Sequence, residues 1–351
     1  MNIKDNWWKI LGVVFMLYTL IAGILIPLKP GVLEFSNSRA LTGSIYEVDI
    51  ETYNTYLTIA PTNVWLLLPD DKLIKADRTN VIDNNHISAS IPIPHDLEIP
   101  TDRGIAATIV IDNASDGFFI YPDGVRIKKG DSKNTLSPEY YSISDLKSVK
   151  DFKFPFRGVV FETIRNTFFH VAIWMSMFII LIVSCFHSIM YLIKKDLNHD
   201  SRSAALTTVA LVFGIAGLLT GSMWAKFTWG AFWTDDVKLN MTAIALLIYF
   251  AYWILRASIE DVDSRARLSS VFNLFSFVCL MILVMVIPRL SEDSLHPGNG
   301  GNPAFSGEDL DNTLRAVFYP AIIAYALIGF WMAQLIYRYD ILKNNFLDKE
   351  Y

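Results

Sequence analysis

Trp224-Ala225-Lys226-Phe227-Thr228-Trp229-Gly230-Ala231-Phe232-Trp233-Thr234-Asp235-Asp236-Val237-Lys238 decides how this chain is read. Rings, a glycine, paired acids and lysines crowd into one short segment. Apolar runs at about 204–223 and 241–255 lie on either side. A loop between two membrane spans needs only to be polar. Interfacial belts scatter tryptophan around many helix ends, whereas this cluster has the makings of a platform for a flat ligand. On composition alone, belt and platform both stay open.

Further apolar runs lie outward of this core, at about 10–28, 168–193, 268–287 and 314–336. Each approaches or exceeds the roughly 20 residues that span a bilayer. With 52% hydrophobic residues in 351 and a mean hydropathy of +0.34, the chain is too apolar for an ordinary soluble protein. The first run stands where a signal peptide would. Its core is long, however, and Lys29-Pro30-Gly31 is a poor cleavage site, so it is read as a retained helix with Trp7 and Trp8 at the interface. The net charge of -5 argues against nucleic acid as a partner. Cys185 and Cys279 fall inside apolar runs and read as buried thiols. No CxxC, CxxCH or zinc-ligand spacing is present.

Residues 30–160 change character. Alternating or β-branched runs at 44–50, 64–68 and 107–111 are punctuated by turn signals at Pro69-Asp70-Asp71, Asp83-Asn84-Asn85, Asp102-Arg103-Gly104, Asp123-Gly124 and Lys129-Gly130-Asp131. Such spacing predicts a small β-sandwich or barrel. Phe152-Lys153-Phe154-Pro155-Phe156-Arg157 reads as an interfacial lead into the next helix. The fold class expected is an α-helical polytopic membrane protein of six transmembrane helices with an inserted small all-β extracytoplasmic domain. Its parts are a first helix at 1–29, the β-rich domain at 30–160, and a five-helix membrane domain at 161–351.

Lys and Arg flank 194–202, 256–267 and 338–349, and Lys4 and Lys9 precede the first helix. The positive-inside rule then puts these segments and both termini in the cytoplasm. The β-rich domain, the aromatic loop and the polar loop at 288–313 share the opposite face. His86 and His95 read as surface residues, His199 as an inert loop residue, and His187 as a helix-packing residue. His170 and His296 fall on the outer side beside the aromatic loop. Two imidazoles around an aromatic platform could ligate haem iron axially. Lys226, Lys238, Arg289 and Arg315 could pair with propionates.

Residues 220–239 resemble the tryptophan-rich signature of the CcmC/CcsA family of cytochrome c biogenesis, CcmC type. That pattern runs T-G-x-x-W-G-x-x-x-W-G-x-W-W-x-W-D-x-R-L and matches here without a gap. Ala225 replaces Gly, Phe232 and Asp235 replace Trp, and Lys238 replaces Arg. The resemblance covers about 160–340. It implies non-covalent, transient b-type haem held at the outer face by Trp224, Trp229, Phe232, Trp233 and Asp236, with His170-Val171 matching the first family histidine. Where the second would stand, this chain has Pro288-Arg289. Either His296 is that ligand, or Arg289 contacts a propionate and leaves the iron with one protein ligand or with a second from a partner. The short CcmC pattern has no β domain between its first two helices.

The resemblance further implies a periplasmic haem chaperone of the CcmE type as recipient, a small CcmD-type helper, an ABC transporter, and apocytochrome as a further candidate partner. The location implied is the bacterial inner membrane. The expected role is presentation of haem to the chaperone rather than enzymatic turnover. One rival is a cytochrome c synthetase component handing haem directly to apocytochrome; the other is a solute transporter or sensor. The near absence of Asp and Glu from the apolar runs speaks against the last.

Overall fold

The structure is a computed structural model that describes residues 3–100, 103–132, 136, 138–146, 151–158, 160–291, 294, 296 and 310–350. It divides into two compact units, Pro27–Phe161 and the combination of Met1–Ile26 with Glu162–Tyr351.

In the helical unit, six segments are long and apolar enough to cross a membrane. They are α1 (Ile3–Leu25), α2 (Ala172–Lys194), α3 (Leu197–Trp229), α4 (Val237–Ser258), α5 (Val262–Met281) and α7 (Asn312–Glu350). A π turn, Thr167–Val171, leads into α2. A second, Ile282–Val286, joins α5 to the short α6 (Ile287–Leu290).

The helix ends differ from the sequence expectation because capping groups, not hydropathy, set them. α3 continues past 223 until Gly230 adopts φ +83 and its N–H bonds Lys226 O at 3.1 Å. Trp224, Lys226 and Trp229 are therefore helical rather than in a loop. At its other end, Asp196 caps α3 by accepting from Asn198 N at 2.9 Å, so His199 sits in a helical first turn. There it bonds His187, Nδ1 to Nδ1, at 2.9 Å. Asp261 caps α5 through Ser264 N at 2.8 Å, which narrows the expected 256–267 loop to residues 259–261. The segment 338–349 is absorbed into α7.

α1 lies along α7, where the Tyr18 hydroxyl donates to Ala316 O at 3.1 Å. α2 packs against α3, α5 and α7, with Ser176 Oγ donating to Ile322 O at 3.0 Å. Lipid tails are as apolar as leucine, so polar bonds and close backbone approach must hold such helices together. One cluster does so. Asn273 Nδ2 of α5 donates to Ser184 and Ser188 of α2 and Ser203 of α3, at 2.9, 3.0 and 3.2 Å. All four residues are buried. Interhelical bonds of this kind contribute about 0.6 kcal/mol each. Asn273→Leu is thus expected to destabilise the detergent-solubilised protein by about 2 kcal/mol, read from thermal unfolding. An unchanged melting temperature would refute the role. Cys185 is buried and free, and Cys279 is half-buried and free.

The β unit is a two-sheet sandwich. One sheet runs β1-β3-β7-β6, the other β10-β5-β4-β8-β9-β2. The strands are β1 Gly31–Phe35, β2 Arg39–Leu41, β3 Ile45–Tyr53, β4 Thr62–Leu67, β5 Lys72–Lys75, β6 Arg78–Val81, β7 His86–Pro92, β8 Ile105–Asn113, β9 Gly117–Lys128 and β10 Tyr140–Ser142. Pairing is antiparallel except between β2 and β9. β3 shows how the sequence builds it: Tyr46, Val48, Ile50 and Thr52 point inward and the residues between them outward, as a pleated strand requires. From one sheet Val48, Ile50, Ile87 and Ile91, and from the other Leu66, Ile109, Ile111 and Val125, fill a common core.

Two expectations are corrected here. Asp123-Gly124 is not a turn between strands but a bulge inside β9. The β8–β9 register slips between Ala107 and Ile109, and Asp123, at φ +52, donates its N–H to Thr108 Oγ1 at 3.1 Å. Asp102 lies outside the described residues. The strip at 152–157, expected as a lead into the next helix, falls within the β unit. Phe154 is fully buried and bridges Leu28, with Lys29 N to Phe154 O at 2.7 Å and Phe154 N to Pro27 O at 2.9 Å. Phe156 packs against Tyr53 and Phe161. A non-local bridge outweighs the local composition that suggested a membrane interface.

Candidate functional site

α2 and α3 approach closely at two glycines. A Cβ on Gly217 would stand 2.6 Å from Trp174 Nε1, and one on Gly221 would stand 2.5 Å from His170 Cε1. Trp174 and His170 are four residues apart, as are the glycines, so each ring fills one notch. His170 sits in the π turn that opens α2, a local geometry frequent at functional positions. Its Nδ1 lies 2.9 Å from Gly217 O and 3.3 Å from Thr220 Oγ1. The carbonyl can only accept, so Nδ1 carries the proton and the Nε2 lone pair is left over. Trp174 meets the imidazole edge-on at 6.4 Å.

Farther along α3, Trp224 and Trp229 form a T-shaped pair with centroids 4.9 Å apart. His296 joins them, 6.2 Å from Trp224 and 4.9 Å from Trp229. Asp236 holds this imidazole: its Oδ1 lies 2.8 Å from His296 Nδ1. Once more Nδ1–H is committed and Nε2 is not. Asp236 has a second task. As N-cap of α4 it accepts from Lys238 N at 2.9 Å and Leu239 N at 3.3 Å, while Ser294 Oγ donates to its other oxygen at 3.0 Å. The carboxylate is buried, and both of its oxygens accept hydrogen bonds. Burial, then the Lys238 ammonium, holds His296 well below the usual imidazole range, at about 4, while Asp236 pulls the other way. The ring is therefore neutral at physiological pH.

The other expected residues divide. Phe232 and Trp233 are exposed and belong to no ring pair with Trp224, Trp229 or His296 among the described residues. Trp233 Nε1 donates to Asn240 Oδ1 at 3.1 Å, and Asn240 Nδ2 to Asp235 Oδ1 at 3.0 Å, which fixes the turn between α3 and α4. Lys226 Nζ donates to Gly230 O at 2.8 Å and lies over the Phe232 ring, so it closes the end of α3. Lys238 stands in the first turn of α4 and is half-buried; Arg289 is exposed at the end of α6. Arg315, half-buried in the first turns of α7, has a buried Nε with no partner among the described residues. Leu295 and residues 297–309 of the loop between α6 and α7 lie outside the described residues.

Sequence reasoning missed Gly217, Ser294 and Asn240, and met Gly221 only as part of the family pattern. The Gly-x-x-x-Gly spacing of 217–221 is a legible sign of close helix approach; Ser294 and Asn240 carry no local signal.

Comparison with known proteins bears on this unit. The family model for CcmC, heme exporter protein C, matches residues 158–350. A heme exporter protein C of Bradyrhizobium diazoefficiens is 26% identical over 188 residues, covering 52% of this chain and 68% of the relative. That of Paracoccus denitrificans is 26% identical over 176 residues, covering 50% and 71%. That of Escherichia coli K12 is 28% identical over 122 residues, covering 34% and 49%. The β unit lies almost wholly outside the matched range. With six apolar helices and a family match over most of the helical unit, this multi-pass membrane protein belongs to the CcmC, heme exporter protein C, family.

Proposed function

We propose that this chain handles haem in cytochrome c maturation: it binds haem on the extracytoplasmic side of the inner membrane and delivers it to a periplasmic chaperone of the CcmE type. One observation carries the reading. His170 and His296 each have Nδ1–H tied to a fixed oxygen, which leaves two neutral Nε2 lone pairs beside the same stretch of α3. That is the donor chemistry of an axial haem ligand, oriented by its outer hydrogen bond.

Haem is the cargo here, b-type, non-covalent and transient. Trp224 and Trp229 supply apolar ring surface against the porphyrin, and Phe232 and Trp233 extend it at the exposed turn. Arg289, Lys238 and Arg315 supply cations for the propionates; Lys226 is already engaged. Membership of the heme exporter protein C family supports a place beside an ABC transporter, and we extend the proposal to a small CcmD-type helper. The β unit and the outer loop are assigned to the periplasm and both termini to the cytoplasm. Direct hand-off to apocytochrome is the alternative, and it calls for further ligating imidazoles within the helices. His187 and His199 bond each other at 2.9 Å, with no gap for iron between them.

The test is the absorption spectrum of the detergent-purified protein from haem-replete cells. A Soret band is expected in the wild type. In His296→Ala the band should persist, shifted and weakened, because His170 keeps its own orienting bonds. A wild type without the band would overturn the reading.

A further inference from the structure

The β unit is acidic overall, with 18 Asp and Glu against 14 Lys and Arg in residues 27–161. Yet one of its surfaces is concentrated positive charge. Arg39, Arg103, Arg126 and Lys128 line a single open hollow of about 620 Å³ with Ser38 and Asp123. All four cations are exposed. The fold itself collects them. Parallel pairing of β2 with β9 sets Arg39 beside Arg126 and Leu41 beside Lys128. Gly104, at φ +79, passes so near β9 that a Cβ would stand 2.3 Å from Ile127 O, which brings Arg103 to the same strand.

Like charges set beside one another in a sheet are destabilising. Among the described residues none of the four forms an ion pair, with Asp123 or with any other acid. An otherwise acidic domain thus gathers four exposed cations with no ion pair among the described residues.

We propose that this hollow docks an acidic polypeptide segment. Four cations and one acid call for about three carboxylates in return, and arginine forks match carboxylates bidentately. Carboxylates spaced along a chain can meet these exposed cations one by one, and a lipid surface is an outcome that the test separates from this one. The hollow is too open to enclose one small anion. This site stands independently of haem binding.

The experiment uses the full chain in nanodiscs of zwitterionic lipid, with a fluorescein-labelled hexaglutamate peptide as probe and anisotropy as readout. Binding is expected at low salt and should fade as ionic strength rises. Arg126→Glu should weaken it at least tenfold, with Lys128→Glu as a second variant in case the first fails to fold. Arg78→Glu, an equal charge change on an exposed β6 residue outside the hollow, should leave binding within twofold. Equal weakening by Arg126→Glu and Arg78→Glu would overturn the proposal, reducing it to net charge. So would absent peptide binding, whether or not vesicles containing phosphatidylglycerol bind instead.

Discussion

His170→Ala is expected to leave the purified protein without a Soret band, and to weaken haemin binding in a spectroscopic titration more than about 100-fold. Loss of an outer hydrogen-bond partner alone costs a metal site 10–100-fold, so loss of the donor atom itself should cost more. No other side chain in the notch between α2 and α3 can supply the lost donor, and His296 alone would leave one axial ligand. His170 fills a notch cut to its shape, with Gly221 beneath the ring and Gly217 O fixing its proton. A graded companion is Gly221→Ala. The added methyl would stand 2.5 Å from His170 Cε1, so the imidazole must move. Overpacking of this sort costs about 1–3 kcal/mol, and affinity should drop by about tenfold through ligand misplacement. Wild-type haem occupancy in His170→Ala would remove this residue from the site.

Asp236→Ala is expected to act on two readouts at once. Loss of the α4 cap should cost about 1–2 kcal/mol in thermal unfolding. Freeing His296 Nδ1 should weaken haemin binding by about 10–100-fold. Asp236→Asn retains an acceptor oxygen for the cap and should be milder on stability. The two effects separate two ideas about this carboxylate. If Asp236→Ala lowers the melting temperature but binds haemin like wild type, Asp236 is a helix cap and nothing more.

These residues also mark how far the sequence could be read. The six spans were legible because hydropathy over 20 residues is a local property, and the alternation of β3 was legible for the same reason. The end of α3 lies at Gly230 rather than near 223, because hydropathy falls off before the helix does and nothing before Gly230 stops it. The charge of Lys226 shows in the sequence, but its bond to the Gly230 carbonyl does not. Asp236 matched a family motif, but its imidazole partner lies 60 positions away and no local spacing announces the pair. Phe154 is the clearest case. Its neighbours read as a membrane interface, and the isolated bridge that meets it from Leu28, with which it lies fully buried, has no local signal.

That meeting of Leu28 and Phe154 has a consequence for how such a chain can arise. Paired strands lie about 4.8 Å apart, so the β unit gives the chain back almost where it took it. A domain whose two ends adjoin can be set into a short connection, or removed from it, while the flanking helices keep their spacing. The family match starts at residue 158, just after this closure. The sandwich is in this sense a cassette: a module carried at one loop of a haem exporter scaffold, free to change its surface without disturbing the helices that carry it.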